Sequence, residues 1–224
     1  MVTVHHLNNS RSQRVLWLLE ELELPYEIVH YQRDPQTSLA PALLRAIHPL
    51  GKSPVVTTQD GLTLAESGAI IETLIERYGN GRLAPAAGSP EALRYRYWLH
   101  FAEGTAMSPL LLKLVFDRIE TSKMPFFAKP IAKAIAAKAK SAFINPNIAN
   151  HLNYMEAELG KSEWFAGDAF TGADIQMSFV VEASQARGGL DAKRPKLMSY
   201  LERIHARPAY KRALERGGPY ALLS

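Results

Sequence analysis

The sequence predicts a small mixed α/β unit followed by an all-helical one. Over residues 1–80, short apolar runs of strand character alternate with stretches whose apolar residues recur at helical spacing. Beyond residue 90 only the helical spacing persists, and no convincing strand pair remains. Between them the stretch from Gly79 to Pro90, rich in glycine, alanine and proline, breaks both patterns and marks a linker. The expected units are residues 1–80 and 90–224, each large enough for a core of its own.

The elements follow in order. Val2 to Leu7 reads as a strand. Ser12 to Leu24 reads as a helix with Val15, Leu16, Leu18, Leu19 and Leu22 on its apolar side, stopped by Pro25. Tyr26 to Tyr31 is the next strand, and polar residues 32–40 form a loop. Pro41 to Ile47 predicts a short helix with proline in its first turn. Val55 to Thr58 and Leu62 to Ala65, joined by Gln59-Asp60-Gly61, predict a hairpin. Ser67 can cap a helix over Gly68 to Tyr78, with Ile70, Ile71, Leu74 and Ile75 apolar. In the second unit Glu91 to Ile119 is a long helical pattern, interrupted near Gly104 and Pro109. Further helices are expected at Lys129 to Phe143, Asn147 to Glu158, Thr171 to Arg187, Pro195 to Ala206 and Pro208 to Arg216.

Composition narrows the chemistry. The chain has 224 residues and no cysteine, so disulfides, a protein thiolate nucleophile and cysteine-held metals are excluded. No apolar run reaches the roughly 18–20 residues of a membrane helix, and no secretory leader is visible, which fits a cytoplasmic protein. The +4 net charge is too mild to point to nucleic acid. The lysines of KPIAKAIAAKAK (Lys129, Lys133, Lys138, Lys140) read as a solvated helix face. His5 and His6 fall in one strand and so point to opposite faces, which argues against a metal site. Thr171 with Asp174 three residues on reads as a capping box rather than a catalytic pair.

Three segments carry candidate function. Asn9-Ser10-Arg11-Ser12 lies between the first strand and helix, where the unpaired N–H groups of a helix start stabilise an anion. Ser10 or Ser12 can equally be a plain helix cap. His48-Pro49-Leu50-Gly51-Lys52-Ser53-Pro54-Val55 leads into the third strand. A cis Ser53–Pro54 bond would make a tight turn there and leave Val55 to offer backbone groups to a peptide-like ligand. An ordinary turn into an edge strand is the alternative. Glu66-Ser67 sits at another helix start, where Ser67 can cap and Glu66 can meet an ammonium.

These segments, in this order and spacing, resemble the cytosolic glutathione transferases, bacterial and fungal members in particular. The resemblance spans essentially the whole chain. It implies a thioredoxin-like N-terminal domain over 1–80 and an all-α C-terminal domain over 90–224. It implies glutathione as co-substrate, no metal, and conjugation of its thiolate to soft hydrophobic electrophiles in detoxification. Related uses of the same thiol, peroxide reduction or dehalogenation, remain alternatives, as does a non-catalytic binding or interaction module. Carried onto this chain, Lys52 would face the glycyl carboxylate, with His48 on the same edge. Val55, after the cis-proline, would pair with the cysteinyl backbone, Ser53 and Pro54 would belong to the glutathione-binding set, and Glu66 and Ser67 would hold the γ-glutamyl ammonium and carboxylate. For the activating group the family's usual position falls on Asn9, with Ser10 one later and Arg11 adding positive potential. Ser10 is favoured for this role, because hydroxyls make short bonds to anions, ahead of Asn9 and the backbone amides, and the group would favour the thiolate by about 2 pKa units, roughly 3 kcal/mol. Met107, Leu111 and Leu114 would line the electrophile site. A homodimer is implied, with Arg77, Arg94 and Glu103 as candidate contacts.

Overall fold

The computed structural model describes residues 1–37 and 39–222. Its four-stranded sheet has the order β2-β1-β3-β4. β1 (Val2–Leu7) and β2 (Tyr26–Tyr31) run parallel and are joined through α1 (Ser12–Glu21). β3 (Val55–Thr57) lies antiparallel on the other side of β1, and β4 (Thr63–Ala65) completes the hairpin at the edge. α2 (Ala42–Ile47) precedes β3 and α3 (Ser67–Tyr78) follows β4, so the element order is the predicted one.

Strand alternation sorts the sheet's two faces. Val2, Val4 and Val56 join Val15, Leu16 and Leu19 of α1 and Ile70, Ile71 and Leu74 of α3 in the main core. On the opposite face Leu7 and Tyr31 close over Leu44 of α2. The paired histidines obey the same rule. His5 Nδ1 bonds Tyr31 Oη at 2.9 Å, while His6 Nδ1 meets Ser12 Oγ of α1 at 2.8 Å. α1 ends at Glu21, earlier than its apolar pattern suggests, because Glu23 takes φ 56° ahead of Pro25.

The rest is helical: α4 (Pro90–Phe101), α5 (Met107–Thr121), α6 (Lys129–Ala139), α7 (Asn145–Leu159), α8 (Gly172–Ala183), α9 (Pro195–Ala206) and α10 (Pro208–Gly217). Three long expected helices are interrupted by π-helical turns at Ala102–Ala106, Lys140–Ile144 and Ser184–Gly188. The first contains Gly104 and accommodates Pro109, which has no N–H to give. The Gly104 carbonyl receives the Ser108 hydroxyl at 3.4 Å instead. Lys140 is not part of a solvated face. It bridges to Asp117 at 2.9 Å and Glu120 at 2.6 Å on α5.

α8 is buried along its whole length and must start against α3. A Cβ on Gly172 would come within 2.5 Å of Ile75 Cδ1 and 2.9 Å of Ile71 Cγ2, so any larger residue would push the α3 side chains aside. The Gly172 N–H donates to the Leu83 carbonyl of the linker at 2.8 Å. Asp174, 0% exposed, fixes this start as the capping box requires. Its Oδ2 accepts the Thr171 N–H at 2.9 Å and its Oδ1 the Phe165 N–H at 2.9 Å. Asp174→Ala would leave both N–H groups buried and unpaired. The expected loss is about 3–5 kcal/mol in urea unfolding, with Asp174→Asn losing less. A loss under about 1 kcal/mol for the alanine variant would show that the cap does not anchor α8.

Candidate functional site

A cavity of about 540 Å³ opens where the β1–α1 turn, the loop before β3, the start of α3 and the α4–α5 junction meet. Of the residues singled out from sequence, Arg11, His48, Lys52, Ser53, Pro54, Glu66, Ser67 and Leu111 line it. Asn9, Ser10, Val55, Met107 and Leu114 do not.

The Ser53–Pro54 peptide bond is cis, as the tight turn requires. The Ser53 hydroxyl donates to the His5 carbonyl at 3.0 Å and accepts the Leu7 N–H at 3.3 Å, which ties the loop to β1. Val55 lies one step beyond the turn, opposite His5 on one side and Ala65 on the other. With strands on both flanks it is an interior sheet residue, and the residue at the cavity wall is Ser53. Gly51 holds φ +56° beneath the Arg45 side chain, a close approach that a Cβ would obstruct at 2.6 Å. His48 carries a buried Nδ1 with no partner among the described residues.

Glu66 precedes α3 with φ 67°, a backbone conformation that costs a side-chain-bearing residue roughly 1–3 kcal/mol. It is exposed at the cavity and makes no side-chain bond to the helix it precedes. Ser67 is buried behind it. The Ser67 Oγ accepts from Arg14 Nη2 at 3.0 Å and from Gln176 Nε2 at 3.3 Å. Both partners are donors, so the hydroxyl proton is spent on neither of them.

The β1–α1 turn departs from expectation. Asn9 takes φ 51° and is exposed; its Oδ1 accepts the Ala221 N–H at 2.7 Å, so it faces the chain's last described residues. Ser10 is 4% exposed, within hydrogen-bond reach of Ser12 Oγ at 2.7 Å and Ser53 Oγ at 3.3 Å. Burial, with His30 nearby, lowers His6 to about 4, so at neutral pH it is uncharged. Its Nδ1 can then accept from Ser12, and the Ser10 proton is used within the serine network. Ser10 also accepts the Ser12 N–H at 3.2 Å, the local bond of the plain cap reading. The Arg11 N–H, at the head of α1, has no partner among the described residues.

Arg11 and Arg14 reach across to Glu103 in the π turn of the second unit. Arg11 Nε donates to both Glu103 oxygens at 2.9 Å, and Arg14 Nη2 donates to Oε1 as well. Arg14 also donates to the Gln176 carbonyl of α8. Burial raises the Glu103 carboxyl, but Arg14 and Arg11 outweigh it and hold it below its ordinary value. Glu103 is thus engaged within the chain. Arg94 is likewise bound internally, to Glu158 at 2.9 Å and the Phe165 carbonyl at 3.0 Å. Arg77 pairs with Asp60 at 3.1 Å on the surface. Of the three apolar candidates, Leu111 is 53% exposed at the cavity, whereas Met107 is core at 4%. Sequence reading missed Arg14, Gln176, Arg33 and Arg45. The available signal for Arg14 was a charge set in the apolar run of α1.

The cavity wall is basic, with Arg11, Arg33, Arg45 and Lys52 against Glu66 and Glu103. Glu103 is already paired, so the balance suits a ligand with two carboxylates and one ammonium. Comparisons with known proteins agree with this chemistry. The glutathione S-transferase N-terminal domain model matches residues 10–77, and the C-terminal domain model matches residues 120–216. Glutathione S-transferase 3 of Schizosaccharomyces pombe is 36% identical over 217 residues, covering 96% of this chain and 88% of the relative. Glutathione S-transferase 1 of Saccharomyces cerevisiae is 32% identical, covering 96% and 95%. A glutathione S-transferase structure from Actinobacillus pleuropneumoniae superposes with TM-score 0.79 at 33% identity, over 100% of this chain and 96% of that one. A sphingomonad glutathione S-transferase complexed with glutathione gives TM-score 0.73 at 26% identity, covering 96% and 98%.

The Glu103 contact has a pH signature. A carboxyl lowered in the native state stabilises it above the unfolded carboxylate pKa, and the gain is lost as pH falls through the native value. Glu103→Gln is expected to lower stability at pH 7 by about 2–4 kcal/mol, since it leaves Arg14 buried beside a neutral amide while the site is partly open to water. The variant should also show a flatter acid limb in urea midpoints measured from pH 7 to 3. An acid limb identical to the parent's would assign acid sensitivity to other groups.

Proposed function

The chain belongs to the glutathione S-transferase family, and we propose that it holds glutathione in the basic cavity beside the cis-proline. It is an enzyme that joins the glutathione thiolate to electrophiles, on a thioredoxin-like N-terminal sheet followed by an all-helical C-terminal part. The assignment of residues rests chiefly on Glu66 and Ser67, an acid held at a strained φ beside a hydroxyl whose proton is unspent. Glu66 takes the γ-glutamyl ammonium and Ser67 donates to its carboxylate. Lys52, with His48 and Arg45 on the same edge, takes the glycyl carboxylate. The backbone at Ser53, rather than Val55, pairs with the cysteinyl residue. In this reading residues 1–80 bind glutathione, and 90–224 supply the electrophile wall through Leu111, with Leu114 next to it on α5. The protein works in the cytoplasm as a homodimer, whose contact includes the outer face of α4. There Leu93 is 69% and Tyr97 46% exposed.

Thiolate stabilisation falls to the head of α1. The Arg11 N–H, the dipole of α1 and the Arg11 guanidinium all present positive potential at that point. A shift of about 2 units is within reach of such a set, because a hydrogen bond to an ion is worth about 1.5–3 kcal/mol. Ser10 supports the turn from behind, and Asn9 fastens it to residue 221.

Turnover of 1-chloro-2,4-dinitrobenzene with glutathione is expected, and Lys52→Ala and Glu66→Gln should each raise the glutathione KM several-fold. Turnover of cumene hydroperoxide alone would move the reading to a peroxidase. Micromolar glutathione binding with turnover of neither would leave a binding module. Ultraviolet absorbance of bound thiolate against pH separates the activating groups. Neither Ser10→Ala nor Asn9→Ala should move the thiol pKa by more than a few tenths, while Ser10→Ala should cost up to about 2 kcal/mol of stability. A rise of about one unit or more in the Ser10 variant would return the role to its hydroxyl. Light scattering should give the mass of two chains, and a concentration-independent mass of one chain would remove the dimer.

A further inference from the structure

The helix α6 packs on α5 and runs into the π turn that follows it, and Ala136 is its buried residue. Its outward side is apolar. Phe127, Ile131 and Ile135 are spaced four apart and so share a face, at 66%, 62% and 60% exposed. Phe126 stands beside them at 87%. The turn before α6 sets out both phenylalanines. There the Ala128 N–H donates to the Pro125 carbonyl at 3.0 Å, and the two rings meet edge to face with centroids 5.7 Å apart. Large apolar side chains left out as a group, rather than singly, mark an interaction site.

The charge around this ridge has one sign. Residues 121–155 contain five lysines and neither aspartate nor glutamate. Lys140 is engaged by Asp117 and Glu120 of α5, and Asp117 also takes Lys113. Lys123, Lys129, Lys133 and Lys138 are exposed, and among the described residues none of them pairs with a carboxylate. Lys138 follows Ile131 by seven positions, two helical turns along the same side. Lys123 precedes the turn that carries the phenylalanines. Lys133 lies nearer α5, since it precedes Lys140 by the same two turns, and Lys129 lies one turn before it.

We propose that this ridge docks the protein on an anionic lipid bilayer, with Phe126, Phe127, Ile131 and Ile135 entering the boundary between headgroups and acyl chains while the lysines meet the lipid anions. An apolar edge combined with unpaired lysines is the chemistry that such a surface takes. Lysine stems can lie along apolar surface while the ammonium reaches the headgroups. Other occupants fit less well. A second copy would set the same lysines against each other across a two-fold axis. The ridge stands out from the body, so a folded partner would need a groove shaped to it, whereas a bilayer yields. Ile131 and Ile135 offer a nucleic acid no ring to stack on. The docking goes beyond the transferase reading and does not depend on it. α5 links the two regions: Leu111 at the cavity, then Val115 and Ile119, again four apart and exposed, lead towards the turn with Phe126. An apolar molecule leaving the lipid would meet apolar side chains along that path.

Co-sedimentation of the full chain with sucrose-loaded vesicles tests this. Vesicles of phosphatidylcholine with about 30% phosphatidylserine should carry the protein down, and phosphatidylcholine alone should bind it at least about tenfold less. Raising salt from about 20 to about 300 mM should weaken the binding to the anionic vesicles. Phe126→Ser with Phe127→Ser should lower the partition coefficient about tenfold or more, and Lys123→Gln with Lys138→Gln about tenfold or more as well. All four positions are exposed and none lines the cavity, so both variants should keep the parent's urea midpoint. No recovery with the anionic vesicles, or equal recovery with both kinds, overturns the inference. A loss confined to the lysine variant also overturns it, because an acidic protein or an RNA gives the same plain charge attraction. A fall from the mass of two chains to that of one in the phenylalanine variant would make the ridge an interface between copies instead. Turnover is not part of the readout, so a failure of the transferase reading leaves this test intact.

Discussion

A single buried guanidinium holds the two halves of this molecule in register. Arg14 sits in the first turn of the apolar helix α1, 2% exposed, and both its terminal nitrogens find partners, while its Nε is buried with none among the described residues. Its partners come from three other places: Ser67 at the head of α3, Glu103 in the π turn between α4 and α5, and the Gln176 carbonyl of α8. Each is set by a different local device. The strained Glu66 starts α3, the π turn re-aims Glu103 towards α1, and the capping box at Asp174 fixes the height of α8. None of these need exist for its own segment's sake. Together they let one charge be buried, and the cavity is the space left in front of it.

The same hub ties the cavity wall to the interior, since Arg11, Ser67 and Glu103 belong to both. Ser67 accepts two hydrogen bonds from the interior while lining the cavity, so the hub reaches the cavity wall through it. Arg11 neutralises Glu103 on its inner side while its N–H heads the helix on the outer side. A rigid interior thereby preorganises the mouth of the site, which reduces what a ligand must lose in ordering it.

Much of this was legible in the sequence, and the misses have physical causes. Element order, the cis Ser53–Pro54 turn and the Thr171–Asp174 cap are local, so residue types and spacing reveal them. The cavity residues Lys52, Ser53, Glu66 and Ser67 were legible as a set. Asn9, Ser10 and Val55 do not line the cavity, and their orientations depend on partners far away in the chain. Asn9 turns outward to meet residue 221, Ser10 is held by Ser53, and Val55 is enclosed by β1 and β4. Met107 and Leu111 are equally apolar on one helix, and only the packing of neighbouring helices separates core from cavity. Arg94 and Glu103 look like surface charges in sequence, yet both are tied to partners within the chain.

The contact between Asn9 and Ala221 joins residues 212 apart. α10 lies against α1 along the same line, with Gly217 so close to Gln13 that a Cβ would come within 2.5 Å of its Oε1. During synthesis the first turn of the chain therefore emerges long before the segment that finishes it. At ribosomal rates of roughly 5–20 residues per second, this leaves α1 with part of its apolar surface uncovered for some tens of seconds at the slow end. The sheet can form early, but the mouth of the site takes its final shape only when residues 208–222 have left the ribosome and folded back. The β1–α1 turn is thus among the last parts of the chain to gain all its contacts.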